Sequence, residues 1–316
     1  METGTNALEG RTPTSARGPL APQSHLDHKE RMKRFGAAID AVRERVEAKV
    51  GPEDVAHVRR VDRFSRAMEV IGRVLIHVSM EPVTFSVGVG ALWLHKQLQA
   101  TEVGHTALHG AYDRLEDAEE LNSKTFSWDV PIDEESWRYG HNIRPDRSWK
   151  SVKEAHIKAL RKWVPYYLKN YGLFPLLAGP MFWKVLLGNW MAETMRDLYS
   201  AATIYCGHVG EDVAAYDEGT RAHGRGEWYA MQIESTNNYE VSLPVSILCG
   251  GLDRQIEHHL FPRLPPNRLR EIAPEVRAVC AEHGVTYRTA SWGSTLKKAL
   301  AHVRALGFRD FARTMA

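Results

Sequence analysis

The sequence predicts an all-α fold of two long helical hairpins whose ends carry histidines, closed by a polar helical cap. Three observations predict it. Apolar residues recur at three- and four-residue intervals over long stretches. Proline and glycine fall where those stretches break. Histidine-bearing segments sit at the ends of the apolar stretches. In chain order, KERMKRFGAAIDAVRERVEAKV, from Lys29 to about Val50, reads as an amphipathic surface helix stopped by Gly51-Pro52. A second helix begins near Asp54 and runs through VDRFSRAMEVIGRVLIHVSM; Glu81-Pro82 interrupts it, and VTFSVGVGALWL continues as a nearly charge-free run. YYLKNYGLFPLLAGP is apolar up to Gly179-Pro180, and MFWKVLLGNWMAETMRDLYSAATIYC then returns as a long helix. The hairpins are expected over about 63–108 and 157–207. Beyond Phe261, FPRLPPNRLREIAPEVRAVCAEHGV reads as a loop followed by a capped helix. No internal repeat and no glycine-rich phosphate loop occurs. Residues 1–28 are expected to be a disordered cytoplasmic tail, since Met1 to about Pro22 is rich in Gly, Thr, Ser, Pro and Ala and has no apolar core. Residues 29–316 are expected to form a single domain.

Composition excludes several function classes. Lys plus Arg number 41 against 39 Asp plus Glu in 316 residues, so a nucleic-acid partner has no electrostatic support. Cys206, Cys249 and Cys280 lie far apart without C-x-x-C spacing, which argues against a disulfide framework or thiolate zinc site and for a reducing compartment. Nine tryptophans and fifteen histidines stand out. Imidazole is the commonest metal ligand, and Trp favours membrane interfaces. His25, His28, His57, His95, His223, His283 and His302 are expected to be surface residues.

Whether the hairpins cross a bilayer stays open on hydropathy alone. A spanning helix needs about 20 mostly apolar residues, and Arg73, His77 and Lys184 interrupt the candidates; a soluble bundle with an apolar core fits as well. Glu193, Arg196 and Asp197 fall three and four apart, so they can neutralise one another inside a bundle.

His105 and His109 lie four apart in GHTALHG, so on a helix they project from one face toward a single metal. His258 and His259 are adjacent in GLDRQIEHHLFPRLP. Helical neighbours diverge by about 100°, which suits two ligands serving two ions. Gln255 precedes them and can orient a ligand or hold a water. His208 in CGHVGED ends the second hairpin, and His141 lies in SWRYGHNIRPD. If each hairpin leaves and returns on one side, all six histidines emerge on the same face. A ferritin-like di-iron plan would need repeated Glu-x-x-His, and only Glu102-Val-Gly-His105 fits; zinc-hydrolase strings are absent. An all-imidazole set points to iron and oxygen.

GHTALHGAYD, LNSKTFSWD, SWRYGHN, CGHVGED, GEWYAMQIESTNNYE and GLDRQIEHHLFPRLPPNRL together resemble the membrane fatty acid desaturase family, especially its actinobacterial acyl-lipid or acyl-CoA members, over roughly Lys29 to Gly307. Q-x-x-H-H-L-F-P is the most specific string. The resemblance implies helical membrane hairpins under a cytoplasmic cap carrying a histidine-rich di-iron site. It implies O₂-dependent removal of two hydrogens from an acyl chain. His105 and His109 would be first-box ligands, His141 would open the second box, His208 would stand between boxes, and His258 and His259 would be third-box ligands. A ferredoxin-like donor and its reductase are the implied partners. Arg254, Arg263, Arg268 and Arg270 offer a basic face, read either as solvated or as docking for an acidic carrier or anionic headgroup. Gly88 and Gly90 would serve close helix packing or the approach of an acyl chain.

One box departs from the family pattern. After His141-Asn142 the family continues with two spacers and two adjacent histidines, where this chain has Ile143-Arg144-Pro145-Asp146, and the segment before His208 is shorter. The departure predicts fewer than two irons per chain and weak or no desaturation, with Asp146 either a loop residue or a substitute ligand. A lipid hydroxylase and a catalytically impaired desaturase-like membrane protein are the alternatives.

Overall fold

Proline and capping groups set where the helices begin. The computed structural model describes residues 25–142, 148–210, 212–217 and 219–315. Helix α1 (His25–Glu47) leads through Gly51 into α2 (Pro52–Val78), where the Gly51 amide donates to Asp54 Oδ2 at 2.9 Å. Helix α3 (Pro82–Leu98) starts where Glu81 accepts from the amides of Val83 and Thr84 at 2.6 Å each, satisfying donors that a helix start leaves open. It runs into a π-helical segment, Gln99–His105, and a single turn, α4 (Thr106–Leu108). After α5 (Glu134–Asn142), the descending limb of the second hairpin is α6 (Trp149–Tyr167), a π segment over Leu168–Leu173 and α7 (Phe174–Leu177). Gly179, with φ +53°, turns the chain through the 3₁₀ segment Gly179–Met181 into α8 (Phe182–His208). Strand β1 (Asn238–Glu240) pairs in parallel with β2 (Thr289–Ser291). Around them lie α9 (Arg225–Glu234), α10 (Leu243–Cys249), α11 (Gln255–Leu260), α12 (Pro266–His283) and α13 (Trp292–Met315).

The architecture is mostly helical, with α2 packed along α3 and α7 packed along α8 as two hairpins. Their turns meet at one end, where Lys184 Nζ donates to the carbonyls of His77 at 2.9 Å and Ser79 at 2.6 Å. Helices α2 and α3 touch backbone to backbone: a Cβ on Gly88 would lie 2.9 Å from Ile76 N, whereas one on Gly90 would meet nothing within 4 Å. Gly88 therefore serves helix packing. At the other end, α1, α9, α11 and α12 bury a shared core around Phe35, Ile39, Ile233, Ile256, Leu269 and Val276.

Two expectations, the exposure of His95 and the basic face, are corrected, and the hairpins lack the apolar length of spanning helices. Among the described residues no helix is long and apolar enough to cross a membrane. The reason is ionic: α8 carries Lys184, Glu193, Arg196 and Asp197 along its length, and α2 carries Glu69 and Arg73, joined at 2.8 Å. The hairpins still expose a broad apolar surface that includes Val74, Met80, Leu176, Trp183, Leu187 and Leu198. His95 is not a surface residue. It is buried, with Nδ1 3.0 Å from Ser65 Oγ and Nε2 at 3.4 and 3.5 Å from Glu69 and Asp129. Three of the four arginines expected to form a basic face are internally paired: Arg254 with Glu240, Arg268 with Asp54 and Glu271, and Arg270 with Glu102 and Ser246.

Candidate metal centre

The histidines gather at the end of the hairpins away from their turns. His105 closes the π segment, whose wider turns are uncommon and frequent at functional sites, and His109 follows one turn later at the end of α4. Trp128 holds this segment in place. Its Nε1 donates to the carbonyl of Gln99 at 2.9 Å, and its indole lies over Gly104, where a Cβ would fall 1.9 Å from Trp128 Nε1. Glycine is required here by the close approach. Gly104→Ala is expected to unseat Trp128, break that buried bond and cost about 1–3 kcal/mol. A thermal melt monitored by circular dichroism checks this, and an unchanged midpoint would show that the indole does not fix the segment.

The third box is set by a backbone reversal. Gly250 and Gly251 both take left-handed conformations, φ +67° and +74°, which L side chains rarely adopt. A Cβ on Gly250 would stand 2.7 Å from Thr101, so the reversal seats α11 directly against the first-box segment. Asn238 on β1 then orients α11. Its Oδ1 accepts from the Ile256 amide at 2.9 Å, and its Nδ2 donates to Glu257 Oε2 at 2.8 Å. Tyr287 OH donates to the other Glu257 oxygen at 2.8 Å. Burial pushes the Glu257 carboxyl up to about 7, against the opposing pull of the Asn238 and Tyr287 hydrogen bonds.

Two clusters of imidazoles result, one on each side of α11. Ligand nitrogens of His105, His109 and His258 lie within 4.8 Å of one another. Their ring centroids are 4.7 Å apart for His105 and His109, 5.0 Å for His105 and His258, and 4.7 Å for His109 and His258. His259 turns the other way, and its Nε2 faces His208 Nε2 at 3.0 Å. His208 Nδ1 lies 2.9 Å from the carbonyl of Ile204, and His259 Nδ1 lies 3.3 Å from Gln232 Oε1. With each Nδ1–H assigned to those oxygens, both Nε2 atoms present lone pairs to the same small space, a donor set that suits a cation. Gln255 Nε2 lies 3.3 Å from His208 Nε2, and Gln255 packs under Gly207, where a Cβ would fall 2.7 Å from its Cγ.

Of the sequence-derived residues, the structure brings together His105, His109, His208, Gln255, His258 and His259. His141 lies on α5, with its side chain outside the described residues; Asp146 also lies outside them. The helix bearing His141 packs over the first box, since Trp137 has its ring centroid 5.6 Å from that of His105 and 5.1 Å from that of His109. Glu102, the carboxylate of Glu-x-x-His, is buried behind the first box. It meets His57 Nε2 at 2.8 Å and Arg270 at 3.1 Å, and so braces α2 and α12. Trp137, Gln232 and Asn238 were not singled out by the sequence reading; all three lie in the strings SWRYGHN and GEWYAMQIESTNNYE that carried the resemblance.

A cavity of about 470 Å³ opens onto His105, His208, His258 and His259. Its apolar walls include Trp128, Val130, Ile132, Ile204 and Leu252, and Arg196 and Asp197 also line it. An apolar cavity with a few convergent polar groups is the usual form of a small-molecule site.

The fatty acid desaturase family pattern matches residues 125–291. The chain is 27% identical to the NADPH-dependent stearoyl-CoA 9-desaturase of Mycobacterium tuberculosis, over 83% of this chain and 76% of that protein. It is 30% identical to the acyl-lipid 8-desaturase of Rebecca salina over 52% of this chain and 36% of that one. It is 46% identical to fatty acid desaturase 3 of Bos taurus over a 61-residue stretch, 19% of this chain and 14% of that one. No solved structure matches significantly.

Proposed function

We propose, from the premise that this chain belongs to the fatty acid desaturase family, that it introduces a double bond into a fatty acyl chain at two histidine-held iron ions. The overall balance is R–CH₂–CH₂–R′ + O₂ + 2e⁻ + 2H⁺ → R–CH=CH–R′ + 2H₂O. The observation that supports it most is the division of the imidazoles into two convergent sets flanking one short helix. His105, His109 and His258 would hold one ion, and His208 and His259 the other. Bound iron supplies the one-electron oxygen chemistry that breaks an unactivated C–H bond. The chain's own residues do the rest. Trp128, Val130, Ile132 and Leu252 would hold two methylenes beside the histidines and keep water away. Gln232 and the Ile204 carbonyl fix the ring orientations of His259 and His208. Asn238 and Tyr287 fix α11 through Glu257.

The substrate would be an acyl thioester or an acyl lipid, the classes named in the relatives. The exposed apolar surface of the hairpins would rest in a membrane, with the hairpin turns inward and the histidines on the cytoplasmic side. The electrons would come from a ferredoxin-like carrier and its reductase. A second reading has its own observation: Ile143-Arg144-Pro145-Asp146 replaces the expected histidines, which favours fewer than two ions and impaired turnover, with Asp146 as a substitute ligand.

Mass spectrometry of the product after iron loading, with stearoyl-CoA, oxygen and a reduced carrier, tests the reading. A product lighter by two hydrogens supports it. One heavier by an oxygen atom moves the chain to the lipid hydroxylases. Absence of any oxygen-dependent product from a chain loaded with two irons overturns both.

A further inference from the structure

We propose that a cleft behind the histidine-bearing segments is the docking site of an acidic, one-electron iron–sulfur carrier protein; the proposal rests on the desaturase reading and names the partner surface of that same site. The cleft holds about 470 Å³ and shares no lining residue with the histidine cavity. Arg43, Arg114 and Arg263 line it, opposed by Glu47. Gly110 and Leu260 line it as well. Each directly follows a histidine of the candidate centre, His109 and His259. The chain therefore passes directly from a candidate ligand to a cleft-lining residue at two places, one in each imidazole set.

The charges here differ from those on the neighbouring surface. Arg254, Arg268 and Arg270 spend their guanidinium groups on Glu240, Asp54 and Glu102. Arg114 and Arg263 are exposed and make no ion pair among the described residues. Arg43 has a buried Nε without a hydrogen-bond partner among the described residues, and its nearest carboxylate, Asp40, stands 3.7 Å away. Three guanidinium groups line one concavity; Glu47 in the lining and Asp40 beside Arg43 offset part of this charge, and Arg114 and Arg263 supply the remaining field that attracts negative charge and steers an acidic partner. Planar guanidinium groups also suit bidentate capture of carboxylates.

The reaction supplies the reason for such a surface. Each turnover consumes two electrons, and the sequence carries no flavin, nicotinamide or haem motif. An iron–sulfur carrier delivers one electron per encounter, so two carriers must dock and leave in turn. A polar, salt-sensitive surface allows that exchange; a large apolar one would not. In the carrier's cycle a reduced cluster is oxidised as the centre gains one electron, and the protons of the balance come from water.

The test uses the full chain in detergent and an acidic [2Fe–2S] ferredoxin of plant type as probe, with binding measured by biolayer interferometry from 20 to 300 mM salt. Arg114→Glu/Arg263→Glu should weaken binding at low salt by about tenfold or more and flatten its salt dependence. Arg304→Glu, an exposed arginine on α13, should leave binding unchanged. Binding needs no iron, so its result stands even if the desaturase reading fails. Reduction of bound iron by dithionite should be equally fast in both variants, while reduction by ferredoxin slows only in the double variant. Ferredoxin binding unaffected by the double substitution overturns the proposal. So does loss of coenzyme A binding with ferredoxin binding intact, which would assign the cleft to a small phosphate-bearing ligand.

Discussion

His258→Ala should abolish metal binding at the cluster of His105, His109 and His258 while leaving the neighbouring cluster largely loaded, and His259→Ala should do the reverse. Substitution of groups that merely orient a ligand costs about 10- to 100-fold in metal affinity. Loss of a ligand itself is expected to cost at least that much. Iron per chain, measured by mass spectrometry after loading and desalting, reports it, and helix content by circular dichroism should barely move. The two-cluster geometry makes a sharper demand. His208 and His259 face each other at 3.0 Å, so His208→Ala/His259→Ala should lose little more iron than either single variant. His208→Ala/His258→Ala breaks both clusters and should lose nearly all. A surface histidine pair with no metal role predicts no loss anywhere. The same loss in every single and double variant, with no combination worse than another, would mean that the imidazoles serve one shared ion.

Much of this arrangement was legible in the sequence, and particular residues show where legibility ended. The boundaries at Pro52, Pro82 and Gly179 were readable because proline and glycine act locally. The divergence of His258 and His259 was readable from helix geometry alone. The π segment was not. Its register depends on an indole at position 128 fitting over a glycine at 104, a contact across 24 residues that no local pattern encodes. The burial of His95 was missed for a related reason: its acidic partners Glu69 and Asp129 come from two other segments. Asn238 and Gln232 act through single hydrogen bonds from a strand and a helix that fold back onto α11, and polar residues in such stretches look like any others. The resemblance implied membrane hairpins, and the charges of α2 and α8 leave no described helix long and apolar enough to cross a membrane.

Those charges lead to the second large effect. Glu193 is buried at the junction of three helices. Lys96 Nζ lies 2.6 Å from its carboxylate, Tyr166 OH donates to it at 2.9 Å, and Arg196 on the next turn pairs with it directly. Arg196 also reaches Asp197 at 2.8 Å. Taking such groups out of water is costly, and their mutual attraction recovers that cost only while the set stays complete. Glu193→Ala removes the carboxylate and leaves Lys96, only 4% exposed, without an opposite charge. Breaking a buried pair in this way costs about 3–5 kcal/mol, far above the ~0–1 kcal/mol of an exposed ion pair. Unfolding by urea in a fixed detergent measures it. Lys96→Met/Glu193→Leu removes both principal charges together and should recover most of the loss, because an apolar pair of similar volume has no desolvation cost to offset. Raising the salt concentration should not rescue Glu193→Ala, since buried charges are poorly screened. A loss below 1 kcal/mol, or recovery in high salt, would place the carboxylate in water instead. Arg196 and Asp197 line the histidine cavity, so the same substitution should also loosen its wall, which iron loading of the variant would register as a lower affinity without any ligand having been touched.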